Sequence, residues 1–258
     1  MTRDSLSDFI DKKHYSYTAY EEDSVTQQFD TARFSGFFGE YIAEHQENFL
    51  LQQIGSPAGL RILDIGAGTG RISLPLSRMD AQVHAADASL KMLQILQQKA
   101  FLQGVCIPLS RIDAHALPFT DQSFDVVMSF RLIMHVVDWK RVVAEICRVS
   151  RDYVILDFPP LSGFAGLAPL IHPFIRLVRE HHQSYRVFRI GEVVSALHSE
   201  NFETTAIDKH LVLPFGLHRF LNSPGFTRLT ESFLQKIGFR DMFGAPVTLV
   251  ARRKGDST

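Results

Sequence analysis

From residue 61 the chain alternates between two rhythms. Short apolar runs at 61–65, 82–86, 107–112, 124–129 and 153–156 predict strands. Between them, 70–79, 90–100 and 139–149 repeat apolar residues every three or four positions and predict helices. Leu93, Leu96 and Ala100 line one helix face, and Val142, Val143, Ile146 and Val149 another. Ser89 stands where a hydroxyl caps the helix that follows it. Strands this continuously apolar, alternating with helices at this spacing, predict an α/β fold: an open parallel sheet covered on both faces.

The flanks behave differently. Residues 1–60 read as mostly helical, and 37–54 carries an apolar stripe of Phe38, Tyr41, Ile42, His45 and Phe49. Gly55-Ser-Pro57 punctuates it. After Asp157 the rhythm breaks into a proline- and aromatic-rich stretch. A helix at 191–199 and strands at 204–213 and 246–251 follow, with a second aromatic insert at 215–243. The expected organisation is a helical N-terminal extension over 1–58 and a ligand-binding domain over 59–258. Inserts at about 158–190 and 214–245 belong to the latter. No internal repeat or low-complexity tract is present.

Composition narrows the classes. The chain has 258 residues, 45% apolar and 21% charged, with a formal net charge of −1. It lacks the basic footprint of a dedicated nucleic-acid binder. Cys106 and Cys147 form no CxxC pattern and read as small core residues, neither disulfide nor zinc ligands. The charged N-terminus has no apolar signal core, so the expected location is the cytoplasm. The 158–175 stretch carries no Asp, Glu, Lys or Arg, but Pro159, Pro160, Pro169 and Pro173 interrupt it. It reads as loop and short helix over an apolar site, with no transmembrane segment expected.

The chemistry concentrates at the ends of the strands. Ile62-Leu-Asp-Ile-Gly-Ala-Gly-Thr-Gly70 puts three glycines directly behind a strand that carries Asp64. Ligands of open parallel sheets bind at such carboxyl ends. No Lys-Ser/Thr follows, so this is not a P-loop. The spacing is GxGxG, where a dinucleotide fold wants GxGxxG, and Asp64 would repel a pyrophosphate. An amine beside a carboxylate suits it better: the amino-acid end of S-adenosylmethionine. Asp87 ends the second strand, where an acid accepts hydrogen bonds from ribose hydroxyls. Asp113-Ala114 follows the third, placed to read an adenine edge.

With these stretches in hand, residues 59–157 resemble the class I S-adenosylmethionine-dependent methyltransferases, in particular the group that includes the quinone-biosynthesis enzymes. The carriers are ILDIGAGTGRISLPLS, VHAADASLKML, RIDAHALPFTDQSFDVVMSFRLIMHV and EICRV. The resemblance implies a Rossmann-like mixed sheet in the order 3-2-1-4-5-7-6 with the last strand antiparallel. It also implies S-adenosylmethionine as cofactor and S-adenosylhomocysteine as product. Asp64, Gly66, Ala67, Gly68 and Gly70 would form the first cofactor loop. Asp87 would hold the ribose, Ala88 and Met92 would lie beside the adenine with Asp113 and Ala114 flanking it, and Ser129 would face the methionine part. His135 falls at the second histidine of an LHH-type pattern whose first position is Met134 here. Ser150-Arg-Asp152 replaces the family's Pro-Gly-Gly turn before the fifth strand.

Methyl transfer from a sulfonium needs alignment and a dry site more than a catalytic side chain. His135 is the candidate base for an acceptor that must lose a proton. Tyr15, Tyr17 and Tyr20 read as packing of an N-terminal lid. His172, His181 and His182 match no common metal spacing, so no metal is expected. Phe158, Phe164, Phe174, Tyr185, Phe188, Phe215, Phe220 and Phe226 are the candidate wall of a site for a small, partly apolar acceptor. Three rivals stay open: an NAD-dependent oxidoreductase, a binding or regulatory protein that keeps the fold without turnover, and a methyltransferase acting on protein or RNA.

Overall fold

A computed structural model of the chain describes residues 36–162, 185–213 and 215–255. In chain order these contain α1 (Gly36–Ile54), β1 (Arg61–Ile65), α2 (Ser73–Arg78), β2 (Gln82–Asp87), α3 (Leu90–Leu102), β3 (Leu109–Arg111) and β4 (Phe124–Phe130). A 3-10 turn (Ile133–His135), α4 (Trp139–Val149), β5 (Ser150–Phe158), α5 (Ile190–Ser199) and β6 (Phe202–Leu211) come next. The chain continues through α6 (Phe215–Leu221), α7 (Pro224–Lys236), α8 (Phe239–Phe243) and β7 (Ala245–Arg253).

The apolar strand runs sit side by side in one seven-stranded sheet of order β3-β2-β1-β4-β5-β7-β6. β1 to β5 pair parallel, while β7 runs antiparallel between β5 and β6. That is the order the resemblance implied. Period-two alternation splits the central strands between two cores. Ile62, Val126, Met128, Ile155 and Val250 pack under Leu50 of α1, Leu74 and Leu76 of α2 and Leu96 of α3. Leu63, Ile65, Val127, Val154 and Leu156 face Val142, Val143 and Ile146 of α4 and Leu197 of α5.

Several sequence expectations shift for identifiable reasons. The second helix begins at Ser73 rather than residue 70, because the chain is still left-handed at Gly70, with φ +84°. β3 begins after Pro108, which has no N–H for the ladder. Ser150, Arg151 and Asp152 belong to β5 itself, and Ser150 pairs with Phe124. Cys147 is buried as expected, whereas Cys106 is exposed, just past the turn at Gly104 that ends α3. The buried stripe of α1 is Ile42, Gln46 and Leu50, so Tyr41, His45 and Phe49 lie at its margin. Residues 1–35, with Tyr15, Tyr17 and Tyr20, and 163–184, with Phe164, Phe174, His172, His181 and His182, fall outside the described residues. No helix among the described residues is long and apolar enough to cross a membrane.

The second insert forms α6, α7 and α8. It is tied to the end of β6 by Glu231, which is 3% exposed. Its carboxylate accepts the N–H groups of Val212 at 2.9 Å and Leu213 at 3.1 Å and pairs with His218 Nε2 at 2.9 Å. Replacing Glu231 by Met should cost about 3 kcal/mol, because the Val212 and Leu213 amides and His218 Nε2 lose their shared acceptor. Urea unfolding of the variant against the parent measures the loss.

Candidate functional site

At the carboxyl edge, β1 ends and the chain leaves the sheet at Gly66. The N–H groups of Gly66 and Ala67 both reach the carbonyl of Ala86, at 2.8 and 3.1 Å, so the loop is pinned to β2. Gly68 and Gly70 need glycine for different reasons. Both have positive φ, +56° and +84°. A Cβ on Gly70 would fall 1.8 Å from Leu96 Cδ1, so α3 packs directly on that backbone. A Cβ on Gly68 would meet nothing within 4 Å. The backbone at Gly68 is bare toward open space, where a ligand can approach it.

Three acids stand at or near the carboxyl ends of the first three strands. Asp64 is 3% exposed and accepts the Ser73 hydroxyl at 2.5 Å. Desolvation pushes its pKa up to about 6, against the opposing pull of Ser73 and Arg71. Asp87 accepts the N–H of Gly68 and the N–H of Ser89, both at 2.8 Å. Burial raises its pKa, and those backbone donors hold it down in part. Asp113 turns into its own loop, bonding the His115 N–H at 3.0 Å and Nδ1 at 2.7 Å. Burial would raise its pKa, but the His115 contacts outweigh that and lower it.

The remaining predicted residues divide. Ser129 is fully buried and donates its hydroxyl to the Ile65 carbonyl at 3.0 Å, locking β4 to the mouth of the loop. Ala88 and Ala114 are half-buried at the same edge, and the Ala88 carbonyl accepts from Arg111 Nε at 2.9 Å. The Met92 side chain is 3% exposed, and its N–H is capped by Ser89 Oγ at 3.3 Å. His135 is buried in the turn after β4. Among the expected aromatic wall, Phe158 and Phe188 are instead core, stacked edge-on at 5.6 Å with Trp139 next to Phe188. Tyr185 and Phe220 are exposed, and Phe226 tilts against His218. The Phe215 side chain falls outside the described residues.

Sequence reading missed a polar line on the α1 side of this edge. Phe130, Asp157, Thr248 and Asp208 share one register line across β4, β5, β7 and β6. Asp157, fully buried, accepts Gln46 Nε2 of α1 at 3.0 Å and the Thr248 hydroxyl at 3.1 Å. Gln46 Oε1 in turn accepts from Arg71 Nη1 at 2.5 Å. Arg71 follows the last glycine of the loop and lies over the Phe130 ring. Beyond Thr248 come His210, Asp208 and His45. The one local signal was Asp208-x-His210, which period-two geometry puts on one strand face.

Comparison with known proteins follows the same outline. Residues 63–156 match the family described as a methyltransferase domain. An uncharacterized protein of Mycobacterium tuberculosis is 37% identical over 102 residues, which is 40% of this chain and 37% of that protein. A ubiquinone biosynthesis O-methyltransferase of Sinorhizobium fredii is 42% identical over 80 residues, 31% of this chain and 32% of that enzyme. The matched stretch thus spans about a third of these relatives' length. The crystal structure of magnesium protoporphyrin IX methyltransferase from Synechocystis PCC 6803 with bound SAH superposes with a TM-score of 0.65 at 17% identity. It covers 92% of this chain and 97% of that one. Residues 63–156 are thus similar to a methyltransferase domain, and the chain has the Rossmann-like methyltransferase fold.

Asp64 generates a prediction. Its raised pKa means that the native state holds the proton more tightly than the unfolded chain. The stability from that proton is complete below the ordinary 3.8 and is lost as pH rises through about 6. Asp64→Asn keeps an acceptor for Ser73 without the buried charge. It should raise the urea midpoint at a pH of about 7.5 and leave it nearly unchanged at a pH of about 4. Equal shifts at both pH values would show that the carboxylate carries no desolvation cost.

Proposed function

We propose that this protein is an S-adenosylmethionine-dependent methyltransferase that acts on a small, partly apolar organic acceptor. One observation carries the cofactor assignment. The bare backbone at Gly68 is bonded to Asp87 at one strand end, with Asp64 buried at the next. A ligand with a cationic amine and vicinal hydroxyls complements this pair of acids, and a pyrophosphate is repelled by it. In this reading Asp64, Gly66, Ala67, Gly68 and Gly70 hold the amino-acid end. Asp87 takes the ribose, Ala88, Met92, Asp113 and Ala114 surround the adenine, and Ser129 borders the methionine part. The cofactor supplies an activated methyl group, and the protein aligns the acceptor and excludes water.

The acceptor class rests on composition and position. A net charge of −1 gives no general attraction to a polyanion. The stretches that follow β5 and β6 are the aromatic-rich ones, and they leave the carboxyl edge where the acceptor must meet the cofactor. His135, buried just beyond β4, is the candidate base. Fold alone would not distinguish turnover from binding, so the assignment is placed on the site.

Titration of the purified chain with S-adenosylhomocysteine by calorimetry tests this. Micromolar binding, weakened about tenfold or more by Asp87→Ala, is expected from the loss of charge-assisted ribose hydrogen bonds. Absence of binding by folded, cofactor-stripped protein would remove the reading. With an acceptor in hand, His135→Ala should lower turnover and leave that affinity unchanged.

A further inference from the structure

Beyond the cofactor loop, the polar line ends in a cluster with unusual chemistry. His45 Nε2 of α1 lies 2.7 Å from Asp208 Oδ2 of β6. His210 Nδ1, two residues along β6, lies 3.5 Å from the same oxygen. The three donor atoms fall within 4.8 Å of one another. The His210 side chain is 1% exposed, and its Nδ1 makes no hydrogen bond.

The proton inventory explains why that orphan matters. The Thr248 hydroxyl donates to Asp157 Oδ2, so it must accept from His210 Nε2, 2.7 Å away. The Nε2 proton of His210 is thereby committed. With Nε2 so engaged, Nδ1 faces Asp208 Oδ2 at 3.5 Å with no hydrogen bond made. A buried acceptor left in this state is costly. A cation between them removes the conflict. Two imidazoles and one carboxylate are the donor set of first-row divalent metals such as zinc, and a three-ligand site keeps a further position open for water or a ligand oxygen. The surroundings fit. Thr248 fixes the His210 ring through its second nitrogen, as outer partners of metal-bound histidines do. Arg240 Nη2 engages the other carboxylate oxygen, Oδ1, at 3.8 Å and leaves Oδ2 for the ion.

We propose that His45 Nε2, Asp208 Oδ2 and His210 Nδ1 bind a divalent transition-metal ion that clamps α1 onto β6. The site is separate from the methyltransferase reading and stands or falls without it. His45 lies 163 residues before Asp208, so the Asp208-x-His210 pair is the only part of the site that local spacing shows.

The test uses the full chain, treated with chelator and then titrated with Zn2+ or Co2+. A single ion per chain should bind at micromolar concentration or tighter. Co2+ should develop the visible absorption of a low-coordinate site, and the thermal midpoint should rise with added metal. His45→Gln and His210→Gln should abolish uptake at those concentrations. Thr248→Val should weaken it about tenfold by releasing the ring. His45 is part-buried, with its side chain 28% exposed, and metal-free thermal unfolding checks that each variant folds. No uptake by the parent, or uptake that His45→Gln leaves intact, overturns the proposal. Calorimetry with S-adenosylhomocysteine on the same samples keeps the two questions apart.

Discussion

Two backbone N–H groups converging on the Asp87 carboxylate hold the carboxyl edge of this sheet in shape. One belongs to Gly68 in the glycine loop and the other to Ser89, which caps α3. The end of β2, the loop after β1 and the start of α3 are thereby set by a single side chain. α3 then presses Leu96 against Gly70, so the loop is fixed from below as well. A carboxylate offers about four lone-pair positions, and the backbone takes only part of them. The same group can shape the loop and still receive ligand hydroxyls.

Asp64 is the counterpart on the neighbouring strand, and its economy is different. It sits in a nearly dry environment with one hydroxyl donor and the field of Arg71, which is insufficient to keep its acidity ordinary. A strand end that retains a carboxylate whose burial is only partly offset holds a charge at the expense of stability.

The central sheet was readable because its information is local. β1, β4 and β5 each contain an apolar run, and each of α2, α3 and α4 repeats at its own period, so neighbouring residues decide the outcome. Asp64, Asp87 and the glycines were readable for the same reason: they stand at strand ends within one βαβ stretch. What escaped depends on distant partners. Gln46 looks like a polar break in the face of α1, yet it is buried because Asp157, 111 residues away, needs its amide. His45 looks like a member of an apolar stripe until β6 brings Asp208 beside it. Phe158 and Phe188 look like pocket aromatics because they border an insert, yet they close the core around Trp139. Cys106 follows apolar neighbours but emerges after a glycine turn, and no local pattern reports that.

The escaped residues are also the ones that join the two ends of the edge. Arg71, at the exit of the glycine loop, donates to Gln46; Gln46 donates to Asp157; Thr248 and His210 continue the path to Asp208 and His45. α1 contributes both Gln46 and His45, adjacent residues about 100° apart around the helix, so one element touches the path at two points. Anything that moves α1 off the sheet breaks the bond to Arg71 and uncovers Asp157 together. Contiguity of this kind supplies a physical route between the glycine loop and β6, while the energy carried along it is a separate quantity. Gln46 is the place to measure that energy, because it is the one side chain that accepts from the loop side and donates to the strand side. A double-mutant cycle between Gln46 and Thr248 isolates it, since the two touch Asp157 through the same oxygen, Oδ2, and share no direct contact that would mask the coupling.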